Sequence, residues 1–174
     1  HSFLPLIDLI REASFDPDVT TIKITCYRLA QNSKIINALI NAVRNGKEVV
    51  VMLELRARFE EEANIEWKNR LEDEGAKVLV EIPNMKVHSK ICVIKKRTKD
   101  NNFLMYGFVS TGNLNERTSK VYADHCLLTS NQKIMADVSR IFNFLEQPKT
   151  GMNFIRDCKV VIPSQGLKKK EMIK

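Results

Sequence analysis

The sequence is poor in cysteine, and the little it has is scattered. Its four cysteines, Cys26, Cys92, Cys126 and Cys158, form no CxxC pair. That spacing excludes the common zinc and thiol-redox motifs and fits a reducing, cytoplasmic compartment. Three of the four lie in apolar, strand-like runs, where a free thiol behaves as a small hydrophobe. No apolar run approaches the length of a membrane span, and no signal peptide opens the chain. Internal repeats and low-complexity segments are also lacking. The opening "HSFLPLIDLI" has no initiator Met, and the polar tail shows no evident stop. The chain therefore reads as a segment of something longer.

What is present is an ordinary globular composition. The 174 residues, 44% hydrophobic and 28% charged, suffice for one domain with a real core. Lys and Arg number 28 against 21 Asp and Glu, a net charge of +7. The excess favours an anionic partner such as phosphate, nucleotide or nucleic acid, and says nothing about the fold. Part of it sits in Lys95-Lys96-Arg97 and Lys168-Lys169-Lys170, which read as a solvated turn and tail.

Periodicity organises the chain. Leu6, Leu9, Ile10 and Ala13 have helical spacing, and "DPD" at 16–18 stops that helix. "VTTIKITCY" (19–27) reads as a strand. Ser33 can cap a helix with Ile36, Leu39, Ile40 and Val43 on one stripe, and Gly46 closes it. "EVVVMLEL" (48–55) is a continuous apolar run, the mark of a buried parallel strand. A helix over about 60–74 turns Ala63, Trp67 and Leu71 inward and ends at Gly75. "KVLVEI" is a third strand. This αβαβαβ order predicts an α/β fold whose mixed, mostly parallel sheet is flanked by helices. Residues 86–94 and 103–111 then read as a β-hairpin around the turn 95–102. Residues 121–129 read as a further strand and 132–146 as a helix. "EQPKTG" reads as a linker, and 153–162 as an extended segment whose "VVI" needs a partner strand.

The chemistry gathers at strand ends. In parallel sheets, ligands sit beyond the carboxyl ends of the strands. The first strand ends in "CYR", which places Arg28 there; the second ends in "LRARF", which places Arg56 and Arg58 there. Guanidinium forks match phosphate oxygens, although these arginines can equally pair with the carboxylates of "FEEE". The hairpin carries "KVHSK", with Lys86, His88 and Lys90 on one strand face. By itself that is a solvated strand edge. "STGNLNE" (110–116) follows the other arm and is, by itself, a turn. Together they set an imidazole, an ammonium and a glycine loop within reach of one phosphoryl group. Neutral histidine is a competent phosphoryl nucleophile, and a nearby ammonium stabilises the charge in transfer.

HxK on a strand, followed by a Gly–Asn loop, resembles the phospholipase D superfamily, whose pattern runs HxKxxxxD and then GSxxN. Here Lys95 stands where that Asp would be, and the loop reads TGN, which argues against plain phosphodiesterase chemistry. The chain more closely resembles the bacterial polyphosphate kinases, in the first of their two C-terminal phospholipase D-like domains. "DPDVTTIKITCYR", "ALINAVRNGKEVVVMLELRARFEEEANIEW", "LEDEGAKV", "KVHSK", "STGNLNERTSKVYADHCLLT" and "FNFL" carry the likeness in order, over roughly residues 1–146. Ser110 stands where the family has the first Gly of GTGN, and "YAD" where it has YTD.

The resemblance implies a phospholipase D-like domain at 1–146. Residues 147–174 would then be a linker and extended segment leading to a missing second such domain. It implies reversible transfer of the terminal phosphate of ATP to polyphosphate through a phosphohistidine, with magnesium. His88 matches the phosphorylated histidine, with Lys90 its charge partner. Arg28 and Arg58 match arginines of the phosphate and magnesium site, and Tyr122 a tyrosine associated with ATP binding. Asn113 matches the loop asparagine, and Asp124 is placed to orient the site from behind. The implied partners are ATP, ADP and inorganic polyphosphate, not nucleic acid, in a homo-oligomeric, membrane-associated parent enzyme. The fragment alone is expected to be inactive. Two other readings stay open: a phospholipase D-like phosphodiesterase, and a non-catalytic polyanion-binding module.

Overall fold

A computed structural model of the chain describes residues 3–27, 29–55, 61–80, 82, 85 and 87–161. The elements run α1 (Leu4–Phe15), β1 (Val19–Cys26), α2 (Lys34–Arg44), β2 (Glu48–Leu53), α3 (Glu61–Asp73), β3 (Lys77–Leu79), β4 (Lys90–Arg97), β5 (Phe103–Ser110), β6 (Cys126–Thr129), α4 (Gln132–Glu146) and α5 (Met152–Arg156). A short 3-10 turn, Thr118–Lys120, lies between β5 and β6.

The strands form one six-stranded sheet in the order β3-β2-β1-β4-β5-β6. Apolar runs such as "VVVML" and "ICVI" need cover on both faces, and both faces have it. On one face Ile22, Ile24, Val49, Val51, Leu53, Cys92, Ile94 and Phe108 pack with α1, α2 and α3. On the other, Met52, Ile91 and Val93 pack with Val138, Phe142 and Leu145 of α4 and with Ile155 at α5.

The helix boundaries follow from local chemistry. Ser33 caps α2 by accepting the amide of Ile36, and Asn131 caps α4 by accepting those of Lys133 and Ile134, as N-cap side chains do. Gly46 (φ 76°) and Gly75 (φ 97°) take the left-handed conformation just past α2 and α3. Each begins a paired closure: Gly46 N–H donates to Val43 and Lys47 N–H to Ala42, and Gly75 and Ala76 repeat the pattern onto Glu72 and Leu71.

Three expectations are corrected. The sheet is mixed, but parallel pairing is the smaller share: β1–β2 and β2–β3 are parallel, while β1–β4, β4–β5 and β5–β6 are antiparallel. Helices α2 and α3 provide the crossovers that parallel neighbours require, and among the described residues no helix stands between β3 and β4. The strand read at 121–129 is only Cys126–Thr129. Asn115 Oδ1 accepts the amides of Arg117 and Thr118 and turns the preceding chain away from the sheet.

Residues 153–161 are not one extended segment, and Ile162 lies outside the described residues. Met152–Arg156 form a short helix, because Ile155 and Cys158 are spaced to face the same core and are buried there. Val160 and Val161 of "VVI" need no partner strand for their amides. Asp137 Oδ2 accepts those of Lys159, Val160 and Val161 at 2.9, 2.6 and 3.1 Å. Among the described residues, no helix is long and apolar enough to cross a membrane.

Candidate functional site

Topology brings the candidate residues to one end of the sheet. β4 runs antiparallel to β1, so its start lies beside the end of β1. Lys90 pairs with Ser110, and Ser110 with Cys126, so the end of β5 and the start of β6 lie there too. The segments after β1, before β4 and between β5 and β6 therefore share one rim.

Strand β4 begins at Lys90, and His88 precedes it, outside the ladder. Main-chain pairing with β1 stops at Ile24↔Cys92, and a side chain continues the contact. Thr25, wholly buried, donates from Oγ1 to the Ser89 carbonyl at 2.7 Å and accepts the Ile91 amide at 3.0 Å. The HxK stretch is thereby fixed to the sheet at its centre.

His88 is exposed, whereas Lys90 is 3% exposed. The Lys90 ammonium lies 2.8 Å from His88 Nε2 and donates to the His88 carbonyl at 2.9 Å. It also sits over the ring of Tyr27, 5.0 Å from its centroid. The Tyr27 and His88 rings are 6.0 Å apart and tilted by 41°. A charged ammonium can donate to Nε2 only in the neutral tautomer that carries its proton on Nδ1.

The glycine loop forms the next part of the rim. Its base is bound to the residue just before β6: Ser110 Oγ donates to the His125 carbonyl, Thr111 N–H to the same carbonyl, and His125 N–H to Thr111 Oγ1. Thr111 Oγ1 donates to Asp124 Oδ1 at 3.1 Å. Gly112 is buried, and a Cβ there would collide with the Asp124 carboxylate. Asp124 thus supports the TGN turn from behind. Asn113 is half-buried, and its carbonyl accepts the Asn115 amide. Glu116 Oε1 accepts the Lys34 amide at 2.8 Å, which joins this loop to the start of α2.

His88 and Lys90 are thus brought into direct contact, and Thr111, Gly112 and Asp124 form one knot on the strand beside them. Tyr122 is 66% exposed on the turn before β6. Arg28, Arg56, Arg58 and Lys86 lie outside the described residues. The sequence reading missed Tyr27, Thr25 and Asn64. Asn64, wholly buried in α3, donates from Nδ2 to the carbonyls of Tyr27 and Glu54, both at 2.7 Å, and so ties the ends of β1 and β2 together. The available signals were the aromatic beside Arg28 at a strand end and a polar residue on the inward face of α3.

Among the described residues, no three His, Cys, Asp or Glu side chains are grouped to hold a metal. Magnesium bound by oxygen normally takes one or two carboxylates together with substrate phosphates.

Residues 1–151 match the family model "Polyphosphate kinase C-terminal domain 1". The polyphosphate kinase of Vibrio cholerae serotype O1 is 47% identical over 154 residues, which is 88% of this chain and 22% of that protein. The chain therefore spans about a fifth of the length of the curated relatives it matches. The crystal structure of polyphosphate kinase from Porphyromonas gingivalis superposes with a TM-score of 0.74 at 39% identity, covering 84% of this chain and 24% of that one. Nuc, a phospholipase D family member from Salmonella typhimurium, shares the fold, with a TM-score of 0.56 at 18% identity over 84% of this chain and 86% of that one. A family model that covers most of the chain and relatives this similar agree with the fold, and the chain belongs to the polyphosphate kinase family, in its C-terminal domain 1.

Proposed function

We propose that this domain carries the phosphohistidine centre of a polyphosphate kinase, which transfers the terminal phosphate of ATP reversibly to polyphosphate. One observation carries the reading: a buried lysine points its ammonium at Nε2 of an exposed histidine. The imidazole is open to substrate, and the charge that a phosphoryl group needs is already fixed beside it.

In the first half-reaction the Nε2 lone pair attacks the terminal phosphorus of ATP. A P–N bond forms, the bridging P–O bond breaks, and ADP leaves with that electron pair. Lys90 shifts its hydrogen bond from Nε2 to an oxygen of the transferring group and offsets the charge that develops there. In the second half-reaction a terminal oxygen of polyphosphate attacks the same phosphorus. A P–O bond forms, the P–N bond breaks, and Nε2 regains its lone pair. The loop around Gly112 and Asn113 offers main-chain and amide contacts to phosphate oxygens.

Arg28 and Arg58 serve as phosphate clamps on this reading, since guanidinium groups bind phosphate and do not ligate metal. Magnesium enters as the ATP complex, with the substrate. Tyr122 lies on an exposed turn where it can meet a nucleotide. Residues 1–146 form the domain, and the chain beyond it leads toward a second phospholipase D-like domain. The parent enzyme is cytoplasmic, homo-oligomeric and able to associate with a membrane.

The test places this segment within a full-length polyphosphate kinase and supplies magnesium and γ-labelled ATP. An acid-labile, alkali-stable adduct on His88 is expected, and unchanged labelling in His88→Ala would refute the reading. The isolated chain is expected to make no polyphosphate.

A further inference from the structure

Tyr27 is 2% exposed, and its hydroxyl is buried with no hydrogen-bond partner among the described residues. Buried phenols usually find one. The hydroxyl therefore does not explain why a tyrosine stands at the end of β1, and the ring has to be considered instead. Its face lies under the Lys90 ammonium, 5.0 Å from the centroid. Its neighbour on the open side is His88, 6.0 Å away between ring centres.

The backbone that carries this ring is held firmly. Asn64 donates to the Tyr27 carbonyl, and the same amide group donates to Glu54 at the end of β2. Three residues further on, Trp67 Nε1 donates to the Ala30 carbonyl at 3.1 Å. The first turns of α3 thus pin the chain on both sides of Arg28. A ring set this way cannot follow the lysine; the lysine must come to the ring.

We propose that Tyr27 is a positioning residue, whose ring is the platform that holds the Lys90 ammonium against Nε2 of His88. A free lysine side chain explores many rotamers. An ammonium held over an aromatic face within about 6 Å is attracted by the ring quadrupole, and desolvation strengthens that attraction. Buried as it is, the ammonium meets the ring, the His88 carbonyl and the imidazole in a largely dehydrated place. The inference rests on the phosphohistidine reading above.

The test uses this segment within a full-length polyphosphate kinase and follows formation of the His88 adduct. Tyr27→Phe keeps the ring and is expected to label at the unaltered rate. Tyr27→Leu is expected to lower the labelling rate constant at saturating ATP about tenfold, with little change in the ATP concentration for half-saturation. Equal rates for Phe and Leu at position 27, or a loss confined to half-saturation, would overturn the proposal. A series with 4-fluoro- and 3,4,5-trifluorophenylalanine at position 27 keeps the shape and weakens the quadrupole, should the leucine variant not fold. Its rate constant is expected to fall with each fluorine, and a flat series would overturn the proposal. His88→Ala separates the two levels. If that variant labels normally, the phosphohistidine reading fails. If it does not label and the Tyr27 series is flat, only the platform fails.

Discussion

Thr25 and Ile91 meet where the main-chain ladder between β1 and β4 has ended: the threonine Oγ1 accepts the Ile91 amide at 3.0 Å, while its own proton goes to Ser89. A single hydroxyl stands in for a missing rung, and the HxK stretch begins on that rung. Thr25→Ser keeps both bonds and should be nearly neutral. Thr25→Val leaves the Ile91 amide buried without a partner, which should cost about 1–3 kcal/mol. Urea unfolding of the three proteins measures the difference.

Glu146 closes α4 with a nearly buried carboxylate, 11% exposed, that binds Lys23 and Lys77. Burial raises its pKa, but the hydrogen bonds from Lys23 and Lys77 outweigh it and hold the group below its ordinary 4.5. A carboxyl depressed in the folded state stabilises the fold above its unfolded pKa and loses that contribution as pH falls through the folded one. Stability should therefore be level above about pH 5 and decline below 4.5. Glu146→Gln should flatten part of that decline and lower stability at neutral pH, because Lys23 is left nearly buried without its counter-charge. Thermal melts from pH 3 to 7 follow both effects.

Asp137, only 1% exposed, fastens the chain after α5 through three amides of Lys159, Val160 and Val161. Its second oxygen binds Arg140 at 2.6 Å. Removing the carboxylate should release that strap with a modest global cost of about 1–3 kcal/mol. In Asp137→Ala, hydrogen exchange at residues 159–161 should quicken far more than exchange in β1 or β2.

Gly112 has no room for a methyl group, because the Asp124 carboxylate occupies that space. Gly112→Ala must displace Asp124 or the TGN turn. On the proposed function it should slow His88 labelling about a hundredfold, the scale of a small misplacement at a reacting site. Thermal stability should change much less. A labelling time course beside a melting curve tests this.

How far the sequence could be read depended on the kind of signal. The two-faced strands, the Ser33 cap and the Gly46 and Gly75 closures are local or periodic, and they stand where the pattern placed them. The antiparallel half of the sheet was harder to see, because the absence of a crossover helix before β4 is a weaker cue than its presence. The helix at Met152–Arg156 was hidden behind the apolar "VVI", whose first two amides are satisfied by a side chain more than twenty positions earlier. His88 and Lys90 were legible from their spacing. Tyr27, Thr25 and Asn64 were not, because their roles depend on contacts across the fold with no spacing in the chain.

The pairing of Lys90 with His88 is the centre of the account, and Lys90→Met tests it most directly. The methionine keeps much of the volume and removes the charge. Intact-protein mass spectrometry and phosphorus NMR, on this segment within a full-length polyphosphate kinase given magnesium and ATP, would follow the phosphoryl group. The account predicts a phosphohistidine at His88 that forms about a hundredfold more slowly in Lys90→Met and not at all in His88→Ala. A phosphoryl group on another residue, or equal rates with and without the lysine, would contradict it.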